Sequence, residues 1–361
     1  MTQAPATQPL LATYCTLGLG GRAQHFSSPD SVEALIHDLN TAKAQQLPVL
    51  ILGGGSNIVF HDEGFDGWVL RPNLQALTFE EHTPHDVRVR IGAGVPWDDV
   101  VQAAVARNLA GIEAMSGIPG HTGAAPIQNI GAYGQELSDT LRNVRAYDRQ
   151  NEQIVEFTAE ECAFAYRNSR FKREGTQRHV ILSIELSLHR PAGPISLLYR
   201  DLTEFFGAAQ APDVQSVRDA VLAIRRGKGM VYDPADVHSH SVGSFFMNPV
   251  VPGALRTSLL SKAEAMGFGQ MPQYLQEDGR WKLSAAWLIS HAGVERGYRL
   301  GGAQISPRHV LAIIHAGGGT SAQVRALARH VQQRVQEVWG IKLTPEARIL
   351  TRTGLDTSFY L

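Results

Sequence analysis

The chain has 361 residues, 43% hydrophobic and 19% charged, with a formal net charge of −1, which suits a soluble globular protein of two or three domains. No run of Lys and Arg is dense enough for nucleic acid or an anionic membrane, and no apolar stretch approaches the roughly 18–20 residues that span a bilayer. Two cysteines, Cys15 and Cys162, make no disulfide framework, the 14 histidines form no metal-ligand spacing, and the N-terminus does not read as a signal peptide, so no metal and a reducing cytoplasm are expected.

Residues 1–14 read as a flexible tail. A helix is expected over 31–47, where Val32, Leu35, Ile36 and Leu39 recur at helical spacing. The apolar run LPVLI then predicts a buried strand, and 68–71 another. Val87, Val89 and Ile91 alternate with arginines and predict a half-buried strand ending at Gly92. A helix over 98–108 stops near Gly111. Strands follow at 144–147 and 153–157. Alternation from Val180 to Leu188 is the cleanest strand pattern in the chain. A helix is expected over 217–226, and a domain change near 229–241, where Gly, Pro, Asp, His and Ser cluster. Beyond it lie an expected strand at 244–247, a helix around Leu283–Ser290 and a strand at 310–314. The last helix, 321–339, puts Val324, Leu327, Val331, Val335 and Val338 on one face and stops at Gly340. Mixed elements without strict alternation imply an α+β protein.

Two glycine-rich stretches organise this order. In LPVLILGGGSN (47–57), Gly53, Gly54, Gly55, Ser56 and Asn57 follow the strand and offer amides that can wrap a phosphate. The pattern is not G-x-G-x-x-G and no helix pattern opens after it, which disfavours a Rossmann site. The second stretch, MSGIPGHTGAAPIQNIGAYG (115–134), is uncharged and dense in glycine. It cannot build a packed helix, but it can bring backbone close to a ligand. A pair of such loops suggests a dinucleotide.

The pair resembles the flavin-binding part of the UDP-N-acetylenolpyruvoylglucosamine reductase (MurB) family. YRNSRFK (166–172), GSFFMNP (243–249), AAWLISHAG (285–293) and PEAR (345–348) agree with it in the same order and cover nearly the whole chain. The resemblance implies an FAD-binding fold of the PCMH/vanillyl-alcohol-oxidase type made of two subdomains, plus a C-terminal α+β substrate-binding domain. The expected boundaries are 15–190 for the FAD-binding region with a subdomain break near 72, and 191–229 for a substrate loop and helix completing the second subdomain. Residues 230–345 form the C-terminal domain, and 346–361 return to the FAD-binding region.

It implies non-covalent FAD, although His121 sits where a histidine attaches flavin in some relatives of the wider superfamily. To the five loop residues above it adds Ser116, Gly117, Ile118, Pro119, Gly123, Ala124, Ala125, Gln128, Asn129 and Gly131 as cofactor contacts. It makes Arg167, Ser244 and Glu346 catalytic, and Tyr166, Tyr199, Lys228 and Asn248 substrate-binding. An arginine fork suits a carboxylate or developing enolate, and a serine can serve as acid only toward a strongly basic centre in a dry site. NADPH would be the hydride donor, and the partners small molecules only, with the protein a monomer. Cys15, Met247 and His309 depart from the residues usual in the family at their positions. Another FAD-dependent oxidoreductase of this fold, or a nucleotide-sugar-binding protein without turnover, are the alternatives.

Overall fold

A computed structural model describes residues 8–175, 177–197, 199–207, 211–315 and 317–360. The chain divides into two compact units, and neither is continuous in sequence. The first takes 8–10, Arg22–Ser56 and Gly64–Tyr232; the second takes Leu11–Gly21, Asn57–Glu63 and 233–360.

In the first unit, helix α1 (Val32–Ala44) is capped by the Ser31 hydroxyl, which accepts from the Ala34 amide at 3.2 Å. It lies with a parallel three-stranded sheet in the order Arg22–Ser27, Gly64–Leu70, Val49–Ile51. Leu35 and Leu39 of α1 join Leu70, Val180 and Leu182 in one buried cluster. An antiparallel five-stranded sheet follows, ordered Gln153–Thr158, Leu141–Asp148, His179–His189, Asp86–Gly92, Leu77–Thr83. Helix α2 (Trp97–Val105) buries Trp97, Val100, Val101 and Ala104 in that sheet's core. Short helices α3 (Arg170–Arg173) and α4 (Arg200–Phe206) precede α5 (Val214–Gly227), whose cap Asp213 accepts from the Ser216 amide at 2.7 Å.

The second unit contains α6 (Gly253–Ala265), α7 (Ala285–Ser290) and α8 (Ser321–Trp339) with two small antiparallel sheets. Helix α8 opens on a Thr320/Gln323 capping box and ends at Gly340 in the left-handed region, φ 68°. Val324, Leu327, Val331 and Val335 are buried as the spacing predicts, but at the C-terminal end Trp339 is buried and Val338 only half-buried.

Four expectations change. Of the expected tail, residues 1–7 lie outside the described residues, but Leu11–Tyr14 is a 3₁₀ turn with Leu11 fully buried, because an apolar anchor outweighs the lack of local periodicity. Residues 244–247 are not a strand; the stretch opposite them provides one isolated bridge, Phe246 to Pro345, too little for a ladder. The strand expected at 310–314 is Ile313–His315. The C-terminal segment pairs through Arg348–Ile349 with Ile58–Val59, in parallel, but that partner is a piece of the second unit inserted right after the first glycine loop.

Candidate functional site

The first glycine loop leaves the strand Val49–Ile51, with Gly53, Gly54 and Ser56 half-buried and Gly55 buried. Among the described residues, the amides of Gly53, Gly54, Gly55 and Ser56 donate to no protein acceptor. Unspent amides in a glycine-rich turn are the donor set that a diphosphate needs. The second loop closes on the first. A Cβ on Gly54 would lie 2.7 Å from the Gly120 Cα, and one on Gly53 would lie 3.3 Å from the Ala124 Cβ. The Ser56 hydroxyl donates to the Pro119 carbonyl at 2.8 Å.

The second loop is held rigid by side chains from α2 and α5. Asp98 accepts from the Gly117 amide at 2.6 Å and takes a two-pronged ion pair from Arg218 at 2.7 and 2.9 Å. Arg218 also donates to the Ser116 hydroxyl at 3.0 Å. Burial opposes ionisation of Asp98, but the Arg218 and Gly117 bonds outweigh it and hold its carboxyl below the usual carboxylate range. Arg225 donates to the carbonyls of Gly117 (3.3 Å) and Met230 (2.8 Å), a buried cation beneath the loop. Burial draws its pKa down from the ordinary arginine value. Sequence reasoning missed Asp98, Arg218 and Arg225, although R-R-G-K-G placed two arginines beside the chosen Lys228.

Several expected contact residues are spent inside the loop. Ser116 is fully buried and its hydroxyl donates to the Glu113 carbonyl at 2.6 Å. Asn129 is 1% exposed and binds Glu136 and Ser138 through its side chain. Ala125 is buried in the sheet core. A Cβ on Gly123 would strike Ala93 at 2.7 Å, so that glycine is required by packing alone. Ile118, Gln128 and Gly131 are half-buried, and Gly131 lies on the short strand that ends the loop.

Arg167 sits on a tight turn closed by reciprocal bonds between Ala165 and Asn168 at 3.1 and 3.0 Å. Its backbone is left-handed, φ 50°, as are those of Asn129 (47°) and Tyr133 (50°). Such conformations in non-glycine residues cost energy and persist where the surroundings impose them, often at functional sites. The guanidinium donates to the carbonyls of Gly131 (2.9 Å) and Asn129 (3.3 Å) and lies 5.7 Å over the Tyr166 ring. The Arg167 carbonyl takes the Lys172 ammonium at 2.9 Å, and the Ser169 hydroxyl donates to the Ile127 carbonyl at 2.7 Å. The YRNSRFK stretch is thereby fastened to the second glycine loop.

Tyr199 and Lys228 come together around a residue not chosen from sequence. The Tyr133 ring meets Tyr199 edge-on at 5.3 Å, and the Lys228 ammonium lies 5.7 Å over the same ring while pairing with Asp201. Burial pushes the Tyr133 hydroxyl up to about 12, so it stays protonated as a donor.

Ser244 and Glu346 belong to the second unit, where main-chain bonds join the stretches that carry them. The Glu346 amide donates to the Phe245 carbonyl at 2.8 Å and the Met247 amide to the Thr344 carbonyl at 3.0 Å. Phe245 and Phe246 are buried and orient the stretch, and the Phe245 amide donates to Leu311 at 2.8 Å. Ser244 is half-buried, and among the described residues no hydrogen bond engages its hydroxyl. The Asn57 amide group donates to the Glu346 carbonyl at 3.1 Å, so the last residue of GGGSN serves this unit. Asn248, also of this unit, accepts from the Ala285 amide at 2.9 Å at the start of α7. His309 accepts from the Leu311 amide at 3.1 Å, which gives it a turn-stabilising contact.

Comparison with known proteins agrees with both units. The profile of the UDP-N-acetylenolpyruvoylglucosamine reductase C-terminal domain matches residues 233–350, and that of an FAD binding domain matches 23–158. The chain is 44% identical over 350 residues to the UDP-N-acetylenolpyruvoylglucosamine reductase of Thermobifida fusca, covering 96% of this chain and 98% of that one. It is 41% identical over 349 residues to the Saccharopolyspora erythraea reductase, covering 95% of each. Among solved structures, the Thermus caldophilus reductase matches with a TM-score of 0.65 at 25% identity, over 96% of this chain and 99% of that one.

Proposed function

The chain belongs to the UDP-N-acetylenolpyruvoylglucosamine reductase family, and from that premise we propose how its own residues carry the reaction. It is an FAD-dependent oxidoreductase that uses NADPH to reduce the enolpyruvyl ether of UDP-N-acetylglucosamine to UDP-N-acetylmuramate, in peptidoglycan precursor synthesis. FAD, when bound, supplies the hydride carrier between NADPH and C3 of the enol ether. The unspent amides of Gly53–Ser56 and the rigid backbone from Gly117 to Gly131 would hold it. The His121 ring nitrogen already taken by Arg71 supports non-covalent binding.

The protein's share of the chemistry is charge and proton placement. As C3 gains hydride, charge develops at C2 and in the attached carboxylate. The Arg167 fork is pre-oriented by two carbonyls and a strained turn, and it would stabilise that charge without reorganising. Glu346 is the second group at the substrate carboxylate. The Ser244 hydroxyl gives its proton to C2, and its lack of a protein partner leaves it available. Lys228 and Tyr199 would grip the diphosphate with Asn248, and a phosphate would compete with Asp201 for the Lys228 ammonium. The reading makes the protein a cytoplasmic monomer with small-molecule partners.

The observation that carries this assignment is the joining of 245–247 to 344–346. These main-chain bonds join the stretch that carries the serine of GSFF to the one that carries the glutamate of PEAR, about a hundred residues later in the chain, and so support a shared role. The test is NADPH consumption with the enolpyruvyl substrate, together with the absorbance spectrum of the purified protein. A colourless preparation that takes up no FAD, or one that takes it up and consumes no NADPH, refutes the reading.

A further inference from the structure

Arg71 follows the strand Gly64–Leu70 and stands where the two glycine loops meet. Its Nε donates to the Gly53 carbonyl at 3.4 Å, and its Nη2 lies 3.1 Å from the His121 Nε2. Arginine only donates, so this Nε2 accepts, and the neutral ring carries its proton on Nδ1. That Nδ1 is buried and has no hydrogen-bond partner among the described residues. Leaving a buried donor unpaired is costly, so the ring orientation satisfies the arginine rather than its own second nitrogen. Burial first, and the Arg71 charge second, lower the His121 pKa to about 4, which keeps Nε2 an acceptor at neutral pH.

The two loops hang from different sheets of the first unit. The first ends a strand of the parallel sheet, and the second packs on the antiparallel one through Ala93 and Val95. The Ser56–Pro119 bond ties one end of the junction, and Arg71, bonded to both loops, ties the other. We propose that Arg71 and His121 form a clasp that holds the two glycine loops at the spacing FAD requires, making His121 a positioning residue for the cofactor. This rests on the FAD assignment above. Without the clasp, this tie between the loops is lost, and binding must then include the cost of bringing the second into register.

The test uses the full chain stripped of FAD and titrated with FAD by flavin fluorescence, with the melting temperature of the stripped protein measured in parallel. His121→Ala and Arg71→Met should each weaken FAD binding about tenfold or more, the size of one charge-assisted bond. The double variant should be no weaker than the worse single one, because both remove the same link. His121→Gln puts an acceptor oxygen near the Nε2 position and should restore most of the affinity. The stripped variants should melt with the parent. Unchanged FAD affinity in His121→Ala, fully additive losses in the double variant, or a loss of melting temperature that Gln does not rescue would each overturn the clasp. A parent chain that binds no FAD would instead refute the assignment on which it rests, and the clasp with it.

Discussion

In the function proposed, the glycine loops of the first unit and the Ser244–Glu346 junction of the second do their work by opposite means. In the loops the backbone is the functional surface. Gly54 and Gly123 lie so close to neighbouring main chain or Ala93 that a single Cβ collides, and side chains such as Asp98, Arg218 and Asn129 are consumed in holding the shape. At the junction the side chains are the functional surface. A few main-chain bonds and two buried phenylalanines fix the stretch, and the hydroxyl of Ser244 has no structural duty. In the loops, binding and folding therefore share the same atoms, whereas at the junction chemistry can be removed while the fold stays.

Ser244→Ala is the sharpest way to break the comparison, and has the largest expected effect. Flavin bleaching by NADPH should stay near the parent rate, while reoxidation by the enolpyruvyl substrate slows by at least ~10²-fold, the low end for general-acid catalysis. Rapid-mixing absorbance reads the two halves separately. Equal damage to both, with a lowered melting temperature, would make the serine structural.

Lys228→Ala comes next. Loss of a charge-assisted bond to the diphosphate should weaken enolpyruvyl substrate binding about ten- to a hundredfold and leave the flavin spectrum alone. Asp201→Asn should act in the other direction and tighten substrate binding, since it frees the ammonium from its protein partner. Isothermal titration with substrate decides both, and an unaffected affinity in the lysine variant removes it from the site.

Gly54→Ala tests the loop side of the comparison. Its added methyl would sit 2.7 Å from the Gly120 Cα, so stability should fall by about 1–3 kcal/mol, with FAD affinity falling alongside. Gly227 is the control. A Cβ there meets nothing within 4 Å and its φ is not positive, so Gly227→Ala in α5 should be neutral or slightly stabilising. A normal melting temperature with lost FAD in Gly54→Ala would separate binding from folding at this loop.

The smallest effect concerns pH. His121 titrates near 4 in the folded chain against an ordinary value of 6.5. Between these values the unfolded chain binds a proton that the folded chain refuses, so stability falls as pH drops through that window. His121→Gln should lose this component. The parent-minus-variant difference in melting temperature should therefore be flat above about pH 6.5 and change steadily toward pH 4. A difference that does not change with pH would mean the ring is not held neutral by its surroundings.

What the sequence determined by itself is what a short window encodes. Ser31, Asp213 and the Thr320/Gln323 pair start helices with side chains that reach only three residues ahead, and Gly340 stops one by its own backbone freedom. Val180–Leu188 reads as a strand from its own alternation, and it is one, although both of its faces are buried along most of its length. The function proposed for the two loops starts from the same kind of signal, since glycine density is a local property. Only the tertiary structure decided the rest. Helix α6 escaped notice because just Leu259 and Ala263 are buried, leaving almost no periodic pattern. The exposed strand Leu77–Thr83 (LTFEEHT) escaped for a similar reason, being solvated along most of its length. At 244–247 the apolar run promised a strand, yet pairing depends on what lies opposite, and that is only a bridge at Pro345. The capture of 11–21 and 57–63 by the second unit, and the meeting of Arg71 with His121, join residues distant in sequence. No local signal marks such contacts, because their energy exists only once the chain has folded and brought the partners within reach.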